Sequence, residues 1–210
     1  MRPAFTPTSA SALPALVADF AARSRRGHPT RVALDGPAAA EPGTLAHAVA
    51  DVVRSRGRAS TVVAAASYWR DASLRWEHGR RDVDAYAHDW LDLAGLTREL
   101  LAPLGPGGSG RFLPALRDPV TNRSARVPYR NAATDEVVIV AGEFLLGRGL
   151  DFDATVHLAL SSAARARRTA GEWSWTLPAH DQYDRDVDPA SVAGLVVRWD
   201  DPLRPAVTTP

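Results

Sequence analysis

The sequence predicts an α/β fold in which a parallel sheet is covered by helices on both faces. Two observations carry that prediction. The segments "RVALD", "TVVAAA", "EVVIVA" and "ATVHLAL" are apolar nearly throughout rather than alternating, the pattern of strands buried on both faces. Helix-forming stretches with one apolar face separate most of them, and strands that alternate with helices build parallel sheets. No internal repeat and no heptad pattern competes with this reading.

Taken in order, residues 1–8 carry no periodic pattern and are expected to be disordered. Ser9 to Arg25 reads as an amphipathic helix with Leu13, Leu16, Val17, Phe20 and Ala21 on one face, broken by Gly27-His28-Pro29. Arg31–Asp35 is a short buried strand. Thr44–Arg56 is a helix with Leu45, Val49, Val52 and Val53 inward and Thr44 as its N-cap. Thr61–Ala66 is the second strand, and it runs into the aromatic, charged loop "SYWRDASLRWEHGRRDVDAY". Asp89–Leu104 reads as one long helix ended by Pro103 and "GPGG". Gly110–Val127 has room for two short strands around Asp118-Pro119. Glu136–Ala141 and Ala154–Leu160 are buried strands, Ala163–Arg168 is an Arg-rich helix, and an irregular stretch holds Trp173 and Trp175. Ala193–Arg198 is the last strand. Ligands in such sheets bind at the carboxyl ends of the strands, here Asp35-Gly36, Ser67, Gly142-Glu143 and the segment after Leu160.

Composition narrows the function classes. At 210 residues and 45% apolar content the chain can bury a sizeable core as one domain. A net charge of +1 without long single-sign blocks argues against a dedicated nucleic-acid or membrane-surface binder. The absence of Cys excludes disulfides and thiolate metal sites and is compatible with a reducing compartment. No apolar run approaches the ~20 residues that span a bilayer, and the N-terminus lacks a basic-then-apolar leader. The expectation is a soluble cytoplasmic protein. All 25 basic residues are arginine, so no lysine from any loop can serve chemistry. The six His are scattered. His78 and His88 read as surface residues and His157, inside an apolar strand, as a core histidine. His180-Asp181 lacks a third metal ligand, and no metal site is expected.

"RVALDGPAAAEPGTLAHAVA", residues 31–50, opens like a phosphate-binding corner: strand, Asp-Gly, then a helix. A loop of the form GxxxxGK[ST] belongs between them. Counting from Gly36, the second Gly falls on Glu41, the Lys on Pro42 and the Ser/Thr on Gly43. Pro42 brings neither a cation nor an N–H, and the Glu41 carboxylate would repel a phosphate there.

Several segments around this loop resemble the uridine-kinase-like branch of the P-loop nucleoside kinases over roughly residues 15–200. They are "RVALDG…TLA", "DVDAYAHDWLDLAGLTRELLAPLGPGGSGRF", "VVIVAGEFLL" and "WTLPAHDQYDRDVDP", in the family's order and spacing. The resemblance implies a three-layer P-loop NTPase-like parallel sheet with helices on both faces. It implies an N-terminal tail and helix over 1–30, a kinase-like domain over 31–200 with a lid near 161–185, and a flexible tail over 201–210.

In that family the loop's backbone N–H groups and a Lys hold ATP phosphates, and a Ser/Thr holds Mg²⁺. An Asp after the second strand acts on the nucleoside hydroxyl, and lid arginines stabilise developing charge. Here the family's Asp-Asp aligns with Ala66-Ser67, and its acid after the third strand aligns with Ala141, with Glu143 two residues on as a substitute. Glu143, Arg168 and Ser67 are therefore the candidate catalytic positions. Gly36, Ala40, Gly43 and Thr44 are the candidate nucleotide contacts, while Ala38, Ala39 and Ala40 add side chains that restrict a tight phosphate wrap. Arg70, Tyr86, Asp89, Phe112 and Asp118 line up with the family's acceptor side. Asp92 also matches an acid near the nucleoside sugar but reads equally as a helix-surface acid. Arg165, Arg167 and Arg168 fall at the lid, where Arg168 aligns best, and each reads alternatively as part of a solvated helix face. Trp173 and Trp175 would shield a pocket or pack on each other.

Three readings follow. The first is a degenerate kinase-fold protein without ATP phosphotransfer that binds a nucleoside or nucleotide. The second is an active, atypical small-molecule kinase using Mg-ATP, with Glu143 and lid arginines compensating. The third is a regulatory or protein-interaction module, with no nucleic acid or membrane as partner.

Overall fold

The computed structural model describes residues 4–24 and 27–208. The chain runs β1 (Phe5–Pro7), α1 (Leu13–Ala22), β2 (Thr30–Asp35), α2 (Pro42–Ser55), β3 (Ser60–Ala64), α3 (Ala72–Arg75), α4 (Val83–His88) and α5 (Leu93–Leu96). A π-helical stretch Thr97–Leu101 leads into α6 (Ala102–Leu104), β4 (Arg111–Phe112), β5 (Arg130–Asn131), β6 (Val137–Gly142) and β7 (Ala154–Ala159). Then come α7 (Ser162–Arg168), a 3₁₀ segment Gly171–Thr176, α8 (Leu177–Asp186), α9 (Pro189–Val192), β8 (Leu195–Arg198) and β9 (Ala206–Thr208).

The main sheet has the order β1-β9-β8-β7-β2-β6-β3. Strands β3, β6, β2, β7 and β8 are mutually parallel, and the edge pairs β8–β9 and β9–β1 are antiparallel. The five long apolar segments of the sequence are these five parallel strands. Because side chains alternate across a strand, Val32 and Leu34 of β2 join Val137 and Ile139 of β6 in a core beneath α1 and α2. Ala33, Val138 and Val140 face the opposite core, built on Tyr68, Leu96, Leu100 and Phe112. Each fully buried Val, Leu or Ile contributes roughly 1.5–3 kcal/mol, so two-sided burial is what fixes the central strands. Arg31 anchors the far end of β2 through paired hydrogen bonds from Nε and Nη2 to Asp153, both 2.9 Å.

Four expectations are corrected. Among the described residues, those expected to be loose at 5–7 and 206–208 form strands: β1 and β9 pair with each other and cover the outer edge of β8, and Val207 is buried. An open edge strand gains hydrogen bonds from such pairing, and three-residue strands are too short to show a period. The helix at Ser9–Arg25 is shorter, with Ser9 Oγ accepting from the Ala12 N–H ahead of it; Arg25 lies outside the described residues. The expected long helix Asp89–Leu104 is broken. Trp90 is a bend and Leu91 forms a bridge with Trp69, while the Arg70 N–H donates to the Trp90 carbonyl. Asp92 then caps a new helix through the Gly95 N–H at 2.8 Å. Pro103 explains the π stretch: it lacks the N–H that would bond the Glu99 carbonyl, which accepts from Leu113 instead.

Thr44 is likewise not the N-cap of α2. The helix opens two residues earlier at Pro42, a favoured first-turn residue, and the capping position is Glu41.

Candidate functional site

The chain leaves β2 toward β3 and leaves β7 toward β8, in opposite directions. This opens a crevice at the carboxyl ends of the parallel strands. The loop from Gly36 to Glu41 crosses it. Gly36 is required by packing, since a Cβ there would meet Leu158 Cβ at 2.9 Å. Ala38–Ala40 form a 3₁₀ turn whose Ala40 and Glu41 N–H groups donate to the carbonyls of Pro37 and Ala38. Glu41 has φ 52 and ψ 53, the left-handed conformation that favours glycine. The second-glycine position of a phosphate loop thus keeps a glycine-like backbone while carrying a carboxylate. Thr44 Oγ1 donates to that carboxylate at 3.3 Å.

Glu143, just after β6, reaches the same loop. Its Oε1 accepts from the Ala38 N–H at 2.7 Å and from His180 Nε2 at 3.0 Å, and its Oε2 accepts from the Tyr86 hydroxyl at 2.5 Å. Burial works to raise this carboxyl's pKa, but the bonds from His180, Tyr86 and Ala38 outweigh it and hold the group below the usual glutamate value. Burial first, and the Glu143 charge second, push the Tyr86 phenol well above its ordinary value.

Beneath the loop lies a network that sequence reasoning missed. Asp35, wholly buried at the end of β2, accepts from the Leu145 N–H at 2.8 Å and lies 2.7 Å from His157 Nδ1 and 3.4 Å from the Tyr183 hydroxyl. His157 is thus a satisfied core histidine, as its place in an apolar strand suggested. The signal for Asp35 was its position at the end of the first strand.

Cavities flank the loop. One of about 420 Å³ is lined by Ala38, Glu41, Tyr86, Glu143, Arg168 and His180, among others. A second, about 310 Å³, lies toward β3 and is lined by Gly43, Ala66, Tyr86, Trp90, Glu143 and Arg148. A third, about 350 Å³, is bounded by Ala40, Thr44, Leu45, Arg168 and Trp199. Gly36 lines a smaller one of about 160 Å³ with His157 and Tyr183.

The sequence candidates therefore divide. Glu143, Arg168 and Tyr86 come together on one cavity, and Ala40, Gly43 and Thr44 lie on the loop's flanks. Arg168 is tethered by hydrogen bonds to the carbonyls of Trp199, at 2.9 Å, and Asp200. Arg70 and Asp89 stay near the surface 3.9 Å apart. Four placements differ from expectation. Phe112 is a fully buried core residue rather than a ligand contact. Asp118 is exposed and shapes a turn by accepting from the Val120 and Thr121 N–H groups, which lowers its pKa. Ser67 lines none of these cavities; its neighbour Ala66 does, while the Ser67 carbonyl accepts from Leu116 and Arg117. Arg165 is not on a solvated face: it is buried and pairs with Asp181 and Asp184 of α8. Among the described residues, no group of three or more His, Asp or Glu is placed to hold a metal ion.

Counted in chain order, the five parallel strands stand 2-3-1-4-5 across the sheet, with the loop after the first. Solved structures superpose on this chain over most of its length. A possible uridine kinase from Bacillus stearothermophilus superposes with a TM-score of 0.70 at 17% identity, over 87% of this chain and 96% of that one. A putative fructose transport system kinase from Silicibacter sp. TM1040 gives 0.62 at 19% identity, over 88% and 92%. D-glycerate 3-kinase from Cryptococcus neoformans var. grubii gives 0.53 at 14% identity, over 83% and 80%.

The chain shares the fold of these kinases.

No family model and no curated protein matches its sequence. At these identities the likeness concerns the fold, and the activity must be argued from the loop and its cavities. Among the described residues no helix is long and apolar enough to cross a membrane.

Proposed function

We propose that this protein is a kinase-fold ligand binder that does not perform ordinary ATP phosphotransfer. Its ligand, a nucleoside or nucleotide, occupies the acceptor-side cavity beside Tyr86, Trp90 and Arg148. The observation that carries this reading is the Glu143 carboxylate seated on the Ala38 N–H. A phosphate loop works by pointing its N–H groups at an anion. Here the protein's own anion takes one donor, the 3₁₀ turn takes two more, and Pro42 has none to give. The Lys is absent from the whole chain and Glu41 adds a second negative charge.

On the acceptor side Tyr86 lines the cavity together with Trp90 and Arg148. Burial holds the Arg148 guanidinium below its ordinary value, and an anionic group entering the cavity would offset that cost. Mg-ATP belongs to the second reading, an atypical kinase. That reading is favoured by the way Glu143 and Arg168 line one cavity with Glu41. Arg168 could neutralise phosphate there, although it reaches it from the lid rather than from the loop.

Titration calorimetry with Mg-ATP, Mg-GTP and a nucleoside panel separates the two. The proposal expects binding of a member of the nucleoside panel with no binding of Mg-ATP or Mg-GTP, and micromolar Mg-ATP affinity would overturn it. Glu143→Ala adds a sign test. It frees the Ala38 N–H, so it should strengthen binding of inorganic phosphate if Glu143 is a plug, and weaken Mg-ATP binding if Glu143 serves the metal.

A further inference from the structure

Next to the acceptor cavity, and contiguous with it through Ala66, Trp69 and Trp90, lies a groove of about 590 Å³. Five of the chain's six tryptophans line it: Trp69, Trp76, Trp90, Trp173 and Trp175. They come from separate parts of the chain, the segment around α3 and α4 and the 3₁₀ segment of the lid region. Packing alone does not explain the arrangement. Trp76 and Trp173 remain 38% and 42% exposed. The indole N–H of Trp90 is buried without a hydrogen-bond partner among the described residues, an unmade bond that costs roughly 1–3 kcal/mol.

The charged residues of the groove are unbalanced. Arg75, Arg80 and Arg81 line it against one acid, Glu172. Arg75 lies over Trp69, Trp76 and Trp90, with its guanidinium carbon 4.6 Å from the Trp90 ring centroid. Burial, then the charge of Arg117, pull the Arg75 guanidinium below its ordinary value, so a nearby anion would be favoured. Arg80 lies over the Trp76 ring at 4.8 Å. Indole faces stack on planar rings, and arginines both flank such rings and bind acids. The volume is that of a small-molecule site.

We propose that this groove binds a planar aromatic or heteroaromatic ring that carries an acid group. The ring packs against the exposed parts of the Trp76 and Trp173 indoles, beside the Arg75 and Arg80 guanidiniums that lie over Trp76 and the Trp175 ring that stacks on Trp173, and its acid meets Arg80 and Arg81. This deepens the reading of a retained acceptor side by naming an anionic ring rather than a neutral nucleoside as the ligand class.

The test is quenching of tryptophan fluorescence in the full chain, without ATP, so that it is independent of whether the loop binds ATP. The probes are uridine monophosphate, 4-hydroxybenzoate, uridine and inorganic phosphate, at low and high salt. At least one of the two anionic rings is expected to bind ten-fold or more tighter than uridine, with salt weakening the difference and phosphate alone causing no quenching. Arg80→Ala/Arg81→Ala, a change confined to exposed side chains, should erase that preference and leave the far-UV spectrum unchanged. Trp76→Leu should reduce binding of both rings. Failure of both anionic rings to bind ten-fold tighter than uridine, silence toward both, or a preference that survives loss of both arginines would each overturn the proposal. Mg-ATP binding in the separate calorimetric test would sink the dead-loop reading without touching this one.

Discussion

Replacing Glu143 with Gln tests whether the carboxylate, rather than the shape of the side chain, holds the loop. The Glu143 side chain is 14% exposed and accepts three hydrogen bonds. Its pKa is below the ordinary 4.5 even though burial, the largest single influence, pushes it up. The folded environment therefore favours the charged form. Gln keeps the size and one acceptor oxygen but loses the charge, and it turns an NH₂ toward a donor. The expected loss lies between that of one charge-assisted hydrogen bond, about 1.5–3 kcal/mol, and that of a broken buried pair, about 3–5 kcal/mol. We take about 2–4 kcal/mol. For a chain of this size each kcal/mol moves Tm by roughly 2–4 °C, so Glu143→Gln should melt roughly 5–15 °C lower at pH 7.

The pH dependence has a definite sign. A carboxyl whose folded pKa is depressed contributes stability that is present above its unfolded value, and that is lost as pH falls through the folded one. The gap between wild type and Glu143→Gln should therefore be full at pH 7 and shrink below about pH 4.5, the ordinary value. Thermal melts followed by circular dichroism across pH 3–7 read both quantities. A gap under about 1 °C at pH 7, or one that stays the same at pH 3, would refute the reasoning.

The other predictions concern the loop and what lies beneath it. Gly36→Ala places a Cβ 2.9 Å from Leu158 Cβ and 3.2 Å from its carbonyl oxygen, and should cost about 1–3 kcal/mol in urea unfolding. Gly43→Ala, with nothing within 4 Å, should be neutral or stabilising by up to about 1 kcal/mol. Glu41→Gly relieves a left-handed residue at φ 52 and should not destabilise, because the 1–2 kcal/mol or so of left-handed strain roughly offsets the flexibility of glycine; a clear drop in Tm would mean that the Thr44–Glu41 contact matters more than the backbone. Asp35→Asn should cost about 3–5 kcal/mol by setting an NH₂ among the donors of Leu145, His157 and Tyr183. An unchanged urea midpoint would show that this buried network is unimportant.

The sequence alone determined the sheet. Runs such as "VAL" and "VVIVA" are apolar at every position because both faces of β2 and β6 meet packed layers, and that demand is written locally along the chain. The departures of the loop, Glu41, Pro42 and Gly43, were legible for the same reason: spacing within ten residues needs no tertiary knowledge. Tertiary structure decided what the loop does with its N–H groups. Glu143 and Ala38 are 105 residues apart, Asp35 and His157 122 apart, and Asp35 and Tyr183 148 apart. No local pattern records such meetings. The tryptophans were visible as composition, but α3, α4 and the 3₁₀ segment Gly171–Thr176 had to be brought side by side before they lined one groove. Three-residue strands at the chain ends were hidden as well, since a strand that short is stabilised by the edge it covers and not by its own sequence.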